Sequence, residues 1–208
     1  TVLITEFMAQ NRSTLLDEDG ESSDWIELWN PTDQPVSISG WHLSDDPDDL
    51  TKWTFPAHTV AANSFLVVFA STKDRSASGS ELHTSFALEK SGGFLSLSRP
   101  TSDGGGAVVH QFSPYGAQPE DISFGLYGES PPLESGFFLS PTPDAPNDST
   151  AVRGFVADTR FSIDRGFFDR PQTVVITSAT PGASIVYTTD STVPSAAPLN
   201  GIRVNAPN

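Results

Sequence analysis

The sequence predicts an all-β fold built from antiparallel sandwiches. Short runs rich in β-branched and aromatic residues recur along the 208 residues and are separated by turn residues. The 16 Gly and 17 Pro supply many turns, and no window keeps helical apolar spacing for three turns without an interrupting Gly or Pro. With 37% hydrophobic residues, including 14 Phe and 4 Trp, the chain can bury a sizeable core.

The first third of the chain has the clearest strand pattern. Residues 2–8 open the predicted sheet, and residues 25–30 and 36–44 form two strands around an Asn-Pro-Thr-Asp turn. Gly40 lies inside the second of these strands and predicts a bulge or bend. The segment 52–56 is short and ends in proline, which is typical of an edge strand.

Further strands are predicted in the next part of the chain. They are expected at 65–70, 86–88, 94–98, 107–112 and 123–127. Residues 65–70 are nearly all apolar, so this strand is predicted to lie centrally with both faces covered. The glycine-containing segment 89–93 predicts a hairpin between the strands on either side of it. The strand at 123–127 is expected to close the domain.

A proline-rich segment separates two predicted domains. Residues 140–147 contain three prolines and therefore cannot form a central strand. They are predicted to be an extended, stiff exit segment. The first domain is therefore placed at 1–147, and a linker with a partial second β domain at 148–208.

The second domain repeats the β pattern on a smaller scale. A Pro-Gly turn at 181–182 separates predicted strands at 172–178 and 183–190. About 50 residues are marginal for an independent β-sandwich without disulfides. The second domain is therefore expected to be truncated.

Charge and cysteine content exclude several function classes. The formal net charge of −15 argues against nucleic-acid binding, because the Lys and Arg that would neutralise phosphates are scarce. No apolar run reaches the roughly 18 residues that cross a bilayer, so no membrane insertion is predicted. The chain has no cysteine, which excludes disulfides, thiolate metal sites and cysteine nucleophiles. Thr1 starts directly on a strand pattern, so no signal peptide is visible.

Two acidic loops are the candidate metal sites. The first supplies the carboxylates of Asp17, Asp19 and Asp24. The second supplies those of Asp45, Asp46, Asp48 and Asp49. Carboxylate oxygens in a flexible, glycine-containing loop are ligands that suit Ca²⁺, so the sequence predicts calcium as the one candidate cofactor. The alternative is that both loops are solvated acidic loops, with Lys52 as a counter-ion in the second.

Tryptophans near the first acidic loop are candidate ligand contacts. Trp25 and Trp29 share one face of their strand with Glu27, whereas Ile26 and Leu28 share the other. If the aliphatic pair faces the core, both tryptophans point outward and can stack against a ligand such as a sugar. The alternative is that a loop or another strand covers them, because Trp is usually well buried.

Motifs of enzymatic chemistry are missing from the sequence. There is no Gly-x-Ser-x-Gly motif, and the glycine run at 104–106 lacks the lysine and the helix of a phosphate loop. The many acidic residues have no evident scaffold that presents a pair across a cleft, as glycoside hydrolysis requires. The chain is therefore predicted not to be an enzyme.

Several of these motifs resemble the lamin-tail domain, in order and spacing. The matching segments are residues 4–8, 24–30, 39–46, 52–56 and 141–147. The resemblance covers about residues 2–147 and implies an immunoglobulin-like β-sandwich that holds and positions other molecules without catalysis. The threonine-proline exit segment is similar to the end of such domains in bacterial exported proteins.

The second domain resembles the start of the chitobiase/hexosaminidase C-terminal domain, which is also immunoglobulin-like. The matching segments are residues 161–162, 166–168, 181–183 and 185–190. In bacteria this tandem often accompanies spore-coat-type (CotH-like) kinase domains or other large surface proteins. The resemblance therefore implies an immunoglobulin-like sandwich followed by a second, partial immunoglobulin-like unit of a multidomain protein.

These inferences converge on a non-catalytic module. The sequence predicts an extracellular or cell-surface binding or spacer module of a larger bacterial exported protein, which contacts protein or carbohydrate through loops and strand edges. The alternative is an accessory domain pair of a secreted enzyme, kinase-like or hydrolytic, whose catalytic domain lies outside this chain.

Overall fold

The protein is built from strands, turns and bends. The computed structural model describes residues 1–77, 79–128, 132–147, 150–197 and 199–205, and none of these lies in a helix. The predicted all-β class is therefore confirmed. Among the described residues there is no helix that could span a membrane. The chain divides into two compact units, unit 1 (Thr1–Arg153) and unit 2 (Gly154–Asn208).

Unit 1 is a sandwich of two main sheets and one small one. Its strands are β1 (Leu3–Met8), β2 (Asp24–Trp29), β3 (Val36–Ser37), β4 (His42–Ser44), β5 (Trp53–Thr54), β6 (Thr59–Val60), β7 (Phe65–Ala70), β8 (Leu82–His83), β9 (Gly93–Pro100), β10 (Gly106–Tyr115), β11 (Ser123–Tyr127) and β12 (Glu134–Phe138). The six-stranded sheet has the order β12-β11-β1-β2-β7-β8, and the four-stranded sheet has the order β10-β9-β4-β5. The small sheet pairs β3 with β6.

The core lies between the two main sheets. Strand alternation sends Ile26 and Leu28 of β2 inward, and both are fully buried. They belong to one apolar cluster with Leu43 of β4 and with Leu95 and Leu97 of β9. Because β2 buries its aliphatic face here, its other face, with Trp25, Glu27 and Trp29, lies on the outer side of the six-stranded sheet. We call that side the outer face.

Several predicted strands are confirmed. The strand β1 is the first strand of the chain and lies in the six-stranded sheet, and β5 is a two-residue edge strand. The strand β7 lies inside the six-stranded sheet between β2 and β8, as predicted. Its first three residues, 65–67, are only half-buried, so the prediction that both faces are covered is wrong for this half of the strand. The strands β9 and β10 form a long antiparallel hairpin from Gly93 to Tyr115.

The predicted strand at 36–44 is two strands. Gly40 has a φ of +75° and lies in the turn between β3 and β4. The strand β3 pairs with β6, whereas β4 belongs to the four-stranded sheet. The turn therefore moves the chain from one sheet to another. The bend predicted at Gly40 is confirmed, and the prediction of a continuous strand is wrong.

The predicted hairpin between 86–88 and 94–98 is also wrong. Ala87 forms an isolated bridge with Ser71, and β9 pairs with β10 and β4 instead. Gly92 has a φ of +108°, and a Cβ there would lie 2.8 Å from the Tyr115 carbonyl oxygen. The glycine at 92 therefore permits a close backbone approach to β10.

Two strands of the six-stranded sheet, β8 and β12, are not among the predicted strands. The strand β12 pairs with β11 over five residues, from Ser123↔Phe138 to Tyr127↔Glu134. Beyond it, Val152 and Phe137 exchange two backbone hydrogen bonds of 2.8 Å. Because of this bridge, unit 1 extends past residue 147.

Unit 2 contains short two-stranded ribbons. Its strands are β13 (Thr159–Phe161), β14 (Ile176–Ser178), β15 (Ser184–Tyr187), β16 (Ser195–Ala196), β17 (Leu199–Asn200) and β18 (Ile202–Asn205). A turn at 181–182 separates β14 from β15 as predicted, but β14 pairs with β13 and β15 pairs with β18. Ala183 and Ile185 form its small buried cluster, with Ile176 packed against them.

Candidate binding site

A β-bulge brings two glutamates together on the outer face. Between Ile4 and Glu6 the register of β1 shifts against β2, so that Ile4 opposes Leu28 while Glu6 opposes Glu27. Thr5 is the extra residue, and a bulge sets two residues of one strand against one of its partner. Glu6 is therefore displaced from the inward direction that simple alternation from Ile4 would give it.

The two glutamates fasten the proline-rich segment 140–147, which we call the strap. The Thr142 backbone amide donates to Glu6 at 3.1 Å (Oε1) and 3.2 Å (Oε2), and the Thr142 hydroxyl lies 2.9 Å from Oε2. The Asp144 amide donates to Glu27 Oε2 at 2.7 Å. The Ser123 hydroxyl also donates to Glu6 Oε1. Because Glu6 and Glu27 are fully buried, these bonds occupy polar groups that would otherwise be costly to bury.

Asn147 fixes the far end of the strap. Its Nδ2 donates to the carbonyl oxygens of Thr5 at 3.0 Å and Leu126 at 2.7 Å, and its Oδ1 accepts from the Thr142 hydroxyl at 2.9 Å. The side chain thereby joins two neighbouring strands, β1 and β11, to the strap. The strap is an ordered part of the outer face rather than only an exit segment.

Burial strongly perturbs one carboxyl group under the strap. Desolvation, together with the nearby charges of Glu6 and Asp144, raises the pKa of Glu27 from 4.5 to about 8, although hydrogen bonds from Thr5 and the Asp144 amide oppose this. Glu27 is therefore mostly neutral at pH 7. A neutral carboxyl group can exchange donor and acceptor roles with the Thr5 hydroxyl, 2.8 Å away.

An apolar cleft lies beside the strap on the outer face; we call it the aromatic cleft. It has a volume of about 250 Å³. The rings of Trp29 and Phe65, which are cross-strand partners in β2 and β7, stack with centroids 6.0 Å apart and an angle of 11° between planes. Pro146 and Asn147 of the strap also line the cleft. Among the residues that the structure describes, none with a charged side chain lines the cleft.

The polar groups of the aromatic cleft already have partners. The Thr5 hydroxyl donates to Glu27, and the Asn147 amide has the three partners described above. The Tyr127 hydroxyl donates to Glu134 at 2.7 Å. The cleft therefore offers apolar and aromatic surface, and a ligand there gains by burying apolar area.

The two tryptophans of β2 have different surroundings, and this corrects one prediction. Trp25 is fully buried with Met8 and Phe69, and Leu15 of the loop between β1 and β2 packs against this cluster. Trp25 therefore has no exposed face for a ligand. Trp29 is half-buried and lines the aromatic cleft, so the prediction of a ligand contact applies only to Trp29.

The first acidic loop closes on a lysine. Carboxylate oxygens of Asp17, Asp19 and Glu21 lie within 4.8 Å of one another. The Lys73 ammonium contacts all three, at 2.6, 2.6 and 2.9 Å. It stands at the point where a bound calcium ion would lie, so the ion would have to displace it. Calcium binding at this loop stays a prediction.

Asp17 organises the loop, whereas Asp24 does not belong to it. Although burial opposes its ionisation, hydrogen bonds from Lys73, the Glu21 and Asp19 amides and Ser23 hold the pKa of Asp17 well below its ordinary value. Burial instead raises the pKa of Asp24 to about 6. Asp24 Oδ1 accepts from the Asn11 amide. The predicted ligand set is therefore corrected: Glu21 takes the place of Asp24 in the described cluster.

The second acidic loop does not gather its carboxylates. Asp45 pairs with Lys52 at 2.7 Å. Asp46 Oδ1 accepts from the Asp48 amide, and Asp49 Oδ1 accepts from the amide and hydroxyl of Thr51. Among the described residues, only the Asp17, Asp19 and Glu21 group has three acidic ligands close together. The arrangement corresponds to the solvated-loop alternative, with Lys52 as counter-ion.

The Lys73 contacts lead to a testable expectation. Replacing Lys73 with Met leaves three adjacent carboxylates without their shared cation, so the urea midpoint of unit 1 is expected to fall. Added Ca²⁺ is expected to raise the melting temperature of this variant more than that of the wild type. Lys90→Met, at an exposed position, is the control. Equal urea midpoints for Lys73→Met and the wild type would contradict the role assigned to Lys73.

Sequence reasoning missed much of this site. It did not identify Glu6, Glu27 and Lys73 as organising residues, and it treated the strap only as an extended exit segment. The sequence could have indicated that Glu27 is buried, because it lies between two tryptophans on the strand face opposite the aliphatic pair. Nothing in the sequence indicated the role of Lys73, since it is more than 50 residues away from the acidic loop that it contacts.

Comparisons with known families agree with this architecture. Residues 1–113 match the family model of the Lamin Tail Domain. Residues 163–199 match that of the Chitobiase/beta-hexosaminidase C-terminal domain. No curated protein sequence matches the chain. Both families are immunoglobulin-like and non-catalytic, so the predicted domain pair is confirmed.

Proposed function

The chain belongs to the lamin tail domain family, and we propose that it is a non-catalytic binding module whose partner docks in the aromatic cleft. The cleft carries this proposal, since half-buried Trp29 and Phe65 stack there beside an ordered strap. Concave, mainly apolar sites with fixed walls are typical of binding surfaces. Another opening also lies along the strap, and its lining includes the charged side chains of Glu81 and Asp144. The described lining of the aromatic cleft contains no charged side chain, so the aromatic cleft is the better apolar site.

The partner is a protein or a carbohydrate. Unit 1 holds 22 of the 26 acidic side chains but only 7 of the 11 basic ones, which opposes contact with phosphate backbones and anionic membranes. Aromatic faces can receive either a sugar ring or an apolar side chain. We therefore propose no nucleic-acid partner and no membrane insertion.

The proposed setting is the outside of a cell. The absence of cysteine and the strongly acidic composition are compatible with an exported bacterial protein, and the two matched families support a multidomain architecture. Within such a protein the chain would bind neighbouring domains or hold them apart, and one such neighbour would be a spore-coat-type kinase domain. The chitobiase/beta-hexosaminidase match favours one alternative, an accessory domain pair of a secreted enzyme.

The proposal predicts that binding depends on Trp29. The full chain is immobilised and exposed to extracellular proteins of the source organism and to a panel of soluble oligosaccharides. Trp29→Ala is expected to weaken any specific interaction about tenfold or more, as truncation of an interface anchor does. The matched control is Val108→Ala, which removes an exposed apolar side chain from the four-stranded sheet. Equal binding by Trp29→Ala and the wild type would contradict the proposal.

A further inference from the structure

We propose that the aromatic cleft receives one apolar side chain of an extended protein segment, and that Lys or Arg residues flank this side chain. The inference rests on the proposed function and commits it to a protein partner. It follows from three properties of the cleft: its size, the lack of free side-chain hydroxyl and amide donors among its described lining residues, and the charge around it.

The size of the cleft suits a side chain. Pockets for drug-sized small molecules typically measure about 300–1,000 Å³, and the aromatic cleft, at about 250 Å³, is smaller. Protein interfaces commonly bury one aromatic or aliphatic anchor in such a pocket. The parallel rings of Trp29 and Phe65 line the space that this anchor would fill.

The chemistry of the cleft disfavours a sugar. The hydroxyls and amide in its lining belong to Thr5, Tyr127 and Asn147, and each already bonds within unit 1. These bonds use the side-chain hydroxyl and amide donors of the described lining, so a sugar oxygen buried there would lose water without gaining one of these donors, which is unfavourable. An aliphatic or phenyl side chain has no such requirement.

The surroundings of the cleft favour a basic segment. Unit 1 has 15 more acidic than basic side chains. Glu134 contacts Tyr127 at the cleft and pairs with Arg153 at 3.1 Å. Asp33 is exposed two residues after Pro31, another lining residue. A partner with Lys or Arg beside its anchor complements this charge, whereas an acidic partner is repelled.

The strap prepares the cleft before a partner arrives. Glu6 and Glu27 fix Thr142 and Asp144, and Asn147 is tied to β1 and β11. The wall that Pro146 and Asn147 supply is therefore in place without the partner. Binding to a pre-formed wall avoids the entropy loss of ordering a loop.

The test uses capped octapeptides as probes of the full chain. One peptide has a central Leu flanked by Lys, a second has the same Leu flanked by Glu, and a third replaces Leu with Ser between Lys flanks. Affinities are measured by titration calorimetry at low and physiological salt. The first peptide is expected to bind about tenfold or more tightly than either other, and its affinity to fall as salt rises.

Variants identify the site. Trp29→Ala and Leu133→Ala both shorten lining residues, and each is expected to lower the affinity for the peptide whose central Leu is flanked by Lys. Val108→Ala is expected to leave this affinity unchanged. Arg153→Ala is expected to raise the affinity for the same peptide, because the substitution releases Glu134 to contact the peptide. Far-ultraviolet circular dichroism verifies the fold of each variant. Two lining variants keep the test informative if one of them is unstable.

The outcomes separate the two proposals. If soluble oligosaccharides bind in a Trp29-dependent way and the peptides do not, the proposed function stands and the protein-segment inference is overturned. If the peptides bind without regard to flanking charge, the basic-partner part is overturned. If peptides, oligosaccharides and extracellular proteins all bind independently of Trp29 or fail to bind, both proposals are overturned.

Discussion

Replacement of Gly125 with Ala is expected to destabilise unit 1 by about 3 kcal/mol. Gly125 in β11 opposes Glu6, next to the bulge at Thr5. A Cβ at this position would lie 2.0 Å from the Thr5 carbonyl oxygen and 2.8 Å from Glu6 Cα. Both are backbone atoms in the middle of a sheet, so the strands must separate. The same carbonyl oxygen accepts from Asn147, and the strap is expected to loosen as well.

Urea denaturation followed by tryptophan fluorescence measures this effect. All four tryptophans lie before residue 153 and report on unit 1. Gly116→Ala is the matched control, because nothing lies within 4 Å of a Cβ there. It is expected to change stability by less than about 1 kcal/mol. Similar losses for both variants would show that the bulge does not require glycine at 125.

Replacement of Glu27 with Gln is expected to make unit 1 progressively more stable, relative to the wild type, as pH rises from 5 to 9. Burial raises the pKa of Glu27 from 4.5 to about 8, so the folded chain binds a proton that the unfolded chain releases. Stability from this group is full below pH 4.5 and is lost as pH rises through about 8. The difference between the two pKa values corresponds to roughly 5 kcal/mol. Glutamine keeps the shape, carries no charge and can donate to the Thr5 hydroxyl.

The measurement is the urea-derived free energy of unfolding of the variant and the wild type at each pH. Taking the difference removes the contributions of Asp24, of the buried His42 and His83 and of the half-buried His110, which are the same in both proteins. Glu120→Gln, at an exposed position, is expected to give a nearly constant difference. A constant difference for Glu27→Gln would mean that Glu27 is not held neutral beneath the strap.

Local pattern predicted the strands but not the places where they exchange partners. The apolar run of β7 and the alternation in β2 are properties of neighbouring residues, and both strands form as predicted. The hairpin predicted around 89–93 does not form. Gly92 is needed there because the carbonyl oxygen of Tyr115, which is distant in sequence, lies too close for a Cβ. A glycine in the sequence can indicate either a turn or a close approach of another backbone segment. The close approach cannot be read from neighbouring residues when the other segment is distant in sequence.

The same limit applies to the site. Strand alternation predicted that Trp25 and Trp29 share the outer face, but it did not predict that Leu15 packs against Trp25 while Trp29 stays half-buried. Acidic residues predicted a cation in the first loop, and the described cation is the ammonium of Lys73, brought there by the fold. The pairing of Glu6 with Glu27 depends on a one-residue bulge, which alternation does not reveal.

The most direct test of the central claim is fluorine NMR of the full chain labelled with 5-fluorotryptophan. Its four resonances, assigned by single Trp→Phe substitutions, are recorded while the best-binding peptide or oligosaccharide is added. Trp25 and Trp53 are buried and Trp29 lines the cleft, so the Trp29 resonance is expected to shift most. A saturating ligand that shifts Trp41 or no tryptophan would contradict binding in the aromatic cleft.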